Sequence, residues 1–158
     1  MFFDAALRFD EDARRCDLAL GEDGDLLLDF TSITPTMMSI GLDRRADPDD
    51  ELPQGRSRFL APASFSERRG CPGDALDENG DVTGSHCWLL ERAKETETTR
   101  ALYEFWLRES LEWVEVAFGT PAEVEVIWHA DGVLFYRVFI EGGEEVTGTR
   151  RVFDALAS

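Results

Sequence analysis

The sequence has few basic residues, and this scarcity limits the kinds of partner that it can bind. Lys94 is the only lysine among 16 basic residues, whereas 33 Asp and Glu bring the formal net charge of the 158 residues to −17. Nucleic-acid phosphates and anionic lipid repel a chain this acidic. We therefore expect no direct binding to nucleic acid and no binding to a membrane.

Long apolar runs and paired cysteines are also missing. No apolar run reaches the roughly 20 residues of a transmembrane helix, and residues 1–4 show no feature of a secretory signal. The cysteines, at positions 16, 71 and 87, form no CxxC pair, which indicates reduced thiols rather than a disulfide framework. The composition, 43% hydrophobic and 31% charged, is typical of a globular protein, so we expect a single domain over 1–158.

The hydrophobic pattern predicts an α+β domain in which an antiparallel sheet packs on one long helix. Two short apolar runs around an Asp-Gly turn predict an N-terminal β-hairpin region within 1–30. The long helix is predicted over 96–118, because Gly119 and Pro121 follow it as stop signals. Strict alternation of apolar and polar residues then predicts antiparallel strands within 122–153.

Two short helices and one irregular loop complete the predicted organisation. Thr34 and Pro35 suit the N-cap and first position of one helix, in which Met37, Met38, Ile40 and Leu42 would cover part of a core. A second short helix is predicted over 85–92, capped by Ser85. The stretch 43–84 holds four of the six prolines and is long for a passive connector. We expect it to be either a mobile linker or an ordered loop that contacts something.

The sequence offers no recognisable chemical site. The densest group of carboxylates comprises Asp43, Asp47, Asp49, Asp50 and Glu51, but it does not match a calcium-binding loop. His86 and Cys87 are adjacent, whereas structural zinc sites use ligands paired at short spacing. A nucleophile elbow and a glycine-rich phosphate loop are both missing. We therefore expect no catalytic residue, no metal, no cofactor and no enzymatic activity.

Three strings together resemble a known family. They are LDRRADPDDELP at 42–53, RRG at 68–70 followed by GDAL at 73–76, and GS at 84–85 with WLLERAK at 88–94. Their order and spacing resemble the Mu-type phage baseplate protein family, the small wedge component of contractile tails, over roughly 15–156. The chain departs from the family at Cys71-Pro72, where members carry aromatics, and in a longer insertion around 56–66.

The resemblance implies a non-enzymatic virion part with a fold similar to the lysozyme-like small wedge proteins. Such a protein is made in the host bacterial cytoplasm and lies in the tail baseplate, in a sixfold arrangement around the tail tube. The implied partners are the core helical bundle of the larger wedge proteins, the first ring of the tail sheath, and tube or hub proteins. The implied role is to join the wedge proteins to the tube region and to initiate sheath assembly.

Two groups of residues are candidates for this role. A structural ion-pair network that positions the loop 43–84 is predicted to comprise Arg44, Arg45, Asp47, Glu91 and Arg92. A sheath-strand interface is predicted to comprise Val133, Phe135, Arg137 and Phe139. The alternative hypothesis is a small acidic phage inhibitor that mimics DNA, which requires carboxylates lined up on one face. The helix carboxylates meet this requirement only in part; they are Glu104, Glu109, Glu112 and Glu115.

Overall fold

A computed structural model describes residues 4–10, 15–53, 65–78, 80–140, 142 and 145–152. The strands are β1 (Asp4–Ala5), β2 (Leu7–Asp10), β3 (Arg15–Leu18), β4 (Leu28–Asp29), β5 (Glu123–Ala130), β6 (Val133–Phe139) and β7 (Glu145–Arg151). The helices are α1 (Ile33–Gly41), α2 (Glu97–Ser110) and α3 (Glu112–Phe118), and short 3-10 helices span Phe65–Arg68, Pro72–Leu76 and His86–Leu90. The predicted α+β class is confirmed. Most of the 56–66 insertion, the end of the predicted 122–153 region and parts of 1–30 lie outside the described residues.

The main sheet is an antiparallel meander in the order β5-β6-β7. Its register pairs Val124 with Val138 and Val138 with Val146. Because successive side chains of a strand point to opposite faces, these valines share one face, and that face packs against Tyr103 and Leu107 of α2. The predicted alternation is therefore confirmed, and it gives the domain one buried and one open sheet face.

The predicted helix over 96–118 is bent rather than continuous. Thr96 caps α2 by accepting a hydrogen bond from the backbone N–H of Thr99, and α2 ends at Ser110. The Ser110 hydroxyl donates to the Leu107 carbonyl at 2.9 Å, and the N–H of Leu111 donates to Arg108 instead. A serine hydroxyl that competes for a helix carbonyl in this way interrupts the regular ladder. Leu111 leaves the helical conformation, and α3 starts anew at Glu112.

The N-terminal region folds as two small antiparallel pairs. β1 pairs with β4, and β2 pairs with β3. The predicted turn is present, because the N–H of Leu27 donates to Ala19 and the N–H of Gly21 donates to Asp25. The predicted N-terminal hairpin is thus confirmed. Its two strands β3 and β4 pair mainly with β2 and β1, which precede them in the chain, rather than with each other.

Helix α1 differs from its prediction in where it begins and in what it buries. It starts at Ile33 with Ser32 as the N-cap, two residues before the predicted start. Ile40 is buried, but Met37, Met38 and Leu42 are exposed, so the expectation that all four cover a core is wrong. Within the described ranges, no helix is long and apolar enough to cross a membrane.

Candidate functional site: an arginine cluster and an open sheet edge

Glu91 lies at the centre of a group of ion pairs that joins distant parts of the chain. Both of its oxygens accept hydrogen bonds from Arg69, at 2.8 and 2.7 Å. Arg69 also donates to Asp43 at 2.7 Å, and Arg150 donates to Glu91 at 3.2 Å. We call Asp43, Arg69, Glu91 and Arg150 the arginine cluster. It links the start of the 43–84 loop, the middle of that loop, the end of a 3-10 helix and strand β7.

The buried ring of Trp88 packs against the Arg69 guanidinium of the arginine cluster. The guanidinium carbon of Arg69 lies 4.4 Å from the centre of the Trp88 ring, a cation–π distance. Trp88 is 1% exposed and packs with Ala46 and Leu52, and its indole N–H donates to the Arg44 carbonyl at 2.8 Å. The hydrogen bond to Glu91 raises the pKa of Arg69 further above its already high ordinary value. Arg69 therefore carries its positive charge at every physiological pH.

Gly84 allows the two ends of the loop 43–84 to lie side by side. The N–H of Arg44 donates to Ser85 and the N–H of Ser85 donates to Leu42, which makes a short parallel bridge. Gly84 has a φ of +91°, and a Cβ at this position would clash with the Leu42 carbonyl oxygen. Only glycine fits here without strain. The loop 43–84 is consequently closed at its base, and its described parts are ordered against the domain.

The predicted network residues take different places around this cluster. Glu91 is its centre, whereas Arg44 pairs with Glu109 at 3.5 Å. Arg45 donates to the backbone carbonyl of Arg69 at 3.3 Å. The N–H of Asp47 donates to the Asp50 carboxylate, and the side chain of Arg92 is exposed.

Sequence reasoning omitted Arg69 and Arg150 from this network. Each belongs to an Arg-Arg pair, and Arg69 belongs to the RRG string that helped to identify the family resemblance. The RRG string was therefore the feature of the sequence from which a role for Arg69 could have been predicted. Its neighbour Arg68 has a related role, since its guanidinium donates to the backbone carbonyls of Asp47 and Pro48. Together Arg68 and Arg69 attach the middle of the loop to its beginning.

Among the described residues, one group of side chains has the spacing of metal ligands. Ligand atoms of Asp47, Asp50 and His86 lie within 4.8 Å of one another. Both ring nitrogens of His86 already have protein partners, Glu109 at 3.3 Å and the Arg45 carbonyl at 3.2 Å. Asp50 accepts the N–H of Asp47 at 2.7 Å. The two His86 nitrogens and one Asp50 oxygen are therefore engaged within the protein, so the spacing alone does not indicate a cation site.

The cysteines with described side chains do not form a nucleophilic or zinc site. Cys87 is buried and its thiol lies 3.6 Å from the Tyr103 carbonyl, to which it donates. Burial raises the pKa of the Cys87 thiol to about 12. A thiol in this state is a poor nucleophile at neutral pH, because nucleophilic attack needs the thiolate. Cys71 is half-buried and free.

The two edges of the main sheet can be distinguished by hydrogen bonding. The N–H of Val152 donates to the Gly132 carbonyl at 2.9 Å, so these two residues form a hydrogen-bonded pair at the end of the β6–β7 ladder. This pair shows which residues of β6 direct their backbone groups toward β7. Hydrogen-bonded pairs alternate along an antiparallel ladder. On β5, the backbone groups of Val124 and Val126 must therefore point away from β6, toward the outside of the sheet.

Two arginines of α2 occupy this outer edge of β5. Arg108 donates to the Val124 carbonyl at 2.7 Å, and Arg100 donates to the Val126 carbonyl at 3.0 Å. Glu104 lies between them and accepts a hydrogen bond from each, at 2.8 and 2.6 Å. These contacts lower the pKa of Glu104. A further strand could pair with β5 only by displacing both arginines.

Strand β7 presents the opposite edge. By the same alternation, the backbone groups of Glu145, Thr147, Thr149 and Arg151 point outward. Within the described part of the chain, no hydrogen bond occupies these outward backbone groups. Among the residues that the structure describes, this edge is therefore unpaired, as the edge strand of a sheet is.

The predicted interface residues lie beside this edge but not on it. Val133, Phe135, Arg137 and Phe139 share the open face of β6. Since β6 is the middle strand, its backbone is paired on both sides. The four residues can therefore contact another chain only through their side chains, whereas β7 also has outward backbone groups that can pair with a strand.

The fold and these contacts define a small α+β protein with an internally tied loop and a main sheet in which the described residues leave the β7 edge unpaired. The family model described as phage protein GP46 matches residues 32–146, and the chain belongs to this family. The chain is also 34% identical over 99 residues to baseplate protein gp46 of Escherichia phage Mu. The alignment covers 62% of this chain and 61% of that protein, less than two thirds of its length. No solved structure matches the chain. The resemblance to Mu-type baseplate proteins is confirmed.

Proposed function

We propose that this protein is a structural, non-enzymatic component of a contractile phage-tail baseplate and resides in the virion. The observation that carries the proposal is the similarity to the Mu baseplate protein within a phage protein family. The described geometry supports it, because the charged groups mainly tie segments of the chain together. Deleting the gene from the producing phage is expected to abolish complete tails, and normal numbers of sheathed, infectious particles would contradict the proposal.

The finer part of the proposal is that the protein joins the larger wedge proteins to the tube region and starts the sheath. The partners are the core helical bundle of the wedge, the first sheath ring, and tube or hub proteins, arranged sixfold around the tube. The open edge of β7 supports sheath initiation, because an unpaired edge templates the addition of another chain's strand. The occupied edge of β5 supports the same role, because it restricts the addition of a further strand to the β7 side of the main sheet.

Replacing one outward residue of β7 by proline tests the use of this edge. The N–H of Thr147 points away from β6, so Thr147→Pro removes an outward donor and keeps the bonds between β6 and β7. Thr147→Val is the matched control, because it keeps the N–H and suits a strand. Both variants are produced in a phage that lacks the native gene, and the tails are examined by electron microscopy.

We expect Thr147→Val to give normal tails. We expect Thr147→Pro to enter the baseplate and to give tubes with a missing or shortened sheath. Circular dichroism of the purified variants first establishes that each one folds. If folded Thr147→Pro supports full-length sheaths in normal number, sheath initiation does not use the edge of β7.

The DNA-mimic hypothesis has less support than the baseplate role. It needs carboxylates that are free to imitate phosphates along one face. Glu104 is held by Arg100 and Arg108, and Glu109 is engaged with Arg44 and His86. Of the four helix acids named above, half are therefore committed to contacts within the protein.

A further inference from the structure

Residues 17–42 expose large apolar side chains that normally lie in a core. Nine of them, each between 40% and 63% exposed, are Leu18, Leu20, Leu26, Leu27, Leu28, Phe30, Met37, Met38 and Leu42. Single exposed apolar residues are ordinary, but a concentration of them in one segment marks an interaction site. We call residues 17–42 the apolar-acidic segment.

The same segment carries negative charge and contains no basic residue. No Lys, Arg or His occurs between Arg15 and Arg44. The carboxylates of residues 17–42 are Glu22, Asp23, Asp25 and Asp29, together with Asp17, which lies opposite Arg8 in the register of β2 and β3. Hydrogen bonds from Thr31 lower the pKa of Asp29, which keeps it ionised.

The fold leaves this segment outside the main core. Its strands β3 and β4 pair with β2 and β1 rather than with the main sheet. Of residues 17–42, Ile40 alone belongs to the buried core cluster. The exposed leucines and methionines therefore lie outside the buried core cluster.

We propose that the apolar-acidic segment is the docking surface for a segment of a different protein chain, one that carries large apolar side chains flanked by Lys or Arg. Burial of the leucines would supply affinity, and the carboxylates would select a basic partner. A second copy of this chain is a poor occupant, because it brings the same carboxylates and a charge of −17. Anionic lipid is repelled for the same reason. The inference concerns a surface separate from the edge of β7 and does not depend on the proposed function.

Site-specific photo-cross-linking tests this inference in the producing cells and in the particles released from them. The photoreactive amino acid p-benzoylphenylalanine is placed at Phe30 in one variant and at Leu20 in a second. A third variant carries it at Val116, which is 90% exposed on α3 and serves as the control position. The cross-linked peptides are identified by mass spectrometry.

We expect positions 30 and 20 to cross-link several-fold more than position 116, to one segment of another protein that is apolar and contains Lys or Arg. Glu22→Gln with Asp25→Asn should reduce this cross-linking several-fold. Glu112→Gln with Glu115→Gln, which removes two exposed charges from α3, should not.

The inference is overturned if the cross-links fall within the chain, on another copy of it, or on a segment without basic residues. It is also overturned if positions 30 and 20 do not exceed position 116. A basic apolar partner that belongs to no tail would uphold this surface and contradict the baseplate role. The two proposals can therefore fail separately.

Discussion

The pairing of Arg69 with Glu91 gives the most direct test of how the loop is held. Arg69→Met keeps the apolar stem over Trp88 and removes the guanidinium, and Glu91→Gln keeps the size and removes the charge. The two variants and their double mutant form a cycle, in which the departure from additivity measures the coupling of the pair. Arg92→Gln is the control, because Arg92 is the exposed neighbour of Glu91.

The expected magnitude follows from the geometry and the exposure of the pair. Hydrogen bonds to charged groups contribute about 1.5–3 kcal/mol, whereas fully exposed ion pairs contribute about 0.2–1 kcal/mol. The side chains of Arg69 and Glu91 are 30% and 32% exposed and make a two-pronged contact. We therefore expect a coupling of about 1–1.5 kcal/mol, with about 2 kcal/mol lost in Arg69→Met.

Urea unfolding followed by tryptophan fluorescence supplies the free energies of unfolding. The slope of free energy against urea should be the same in all variants, since a common slope indicates an unchanged two-state transition. Arg92→Gln should lie within about 0.5 kcal/mol of the native protein. A coupling below about 0.3 kcal/mol would show that the pair does not hold the loop, and it would refute the reasoning.

Three further predictions concern local features of the fold. Gly84→Ala should cost about 2–4 kcal/mol of unfolding free energy, because its Cβ meets the Leu42 carbonyl, whereas Gly119→Ala, which meets nothing, should cost about 1 kcal/mol in the same urea assay. The lowered pKa of Glu104 means that its ion pairs stabilise the fold above its ordinary pKa of 4.5 and that this contribution is lost as the pH falls below it. Glu104→Gln should thus be less stable than the native protein at pH 7, with the difference shrinking toward pH 3 in urea titrations; a constant difference would contradict this. With the other two cysteines changed to serine, Cys87 should resist iodoacetamide at pH 8 until urea unfolds the protein, and rapid native labelling would show that the thiol is not buried.

The periodic elements of the fold could be predicted because their pattern is local. The alternation around Val124 and Val126 and the stop at Gly119 depend on neighbouring residues alone. The break at Leu111 could not be predicted, since it depends on which carbonyl the Ser110 hydroxyl reaches. The exposure of Met37 also escaped prediction, because an apolar residue at helical spacing is normally buried.

The candidate site was only partly predictable for a related reason. Glu91 lies in the string at 88–94 that contributed to the family resemblance. Its partners Arg69 and Arg150, however, are 22 and 59 positions away in sequence. Ion pairs between distant segments leave no periodic trace, so the sequence cannot choose among the arginines. The difference between the two sheet edges likewise depends on where α2 places Arg100 and Arg108.

The location of the protein in the virion tests the central claim most directly. Tails are purified from the producing cells, their proteins are quantified by mass spectrometry, and gold-labelled antibodies against this chain are imaged by electron microscopy. The account predicts that the protein is present in fixed stoichiometry with the tail proteins and that the label lies at the end of the tail distal to the head. Absence from purified tails, together with abundance in the infected cytoplasm, would contradict it.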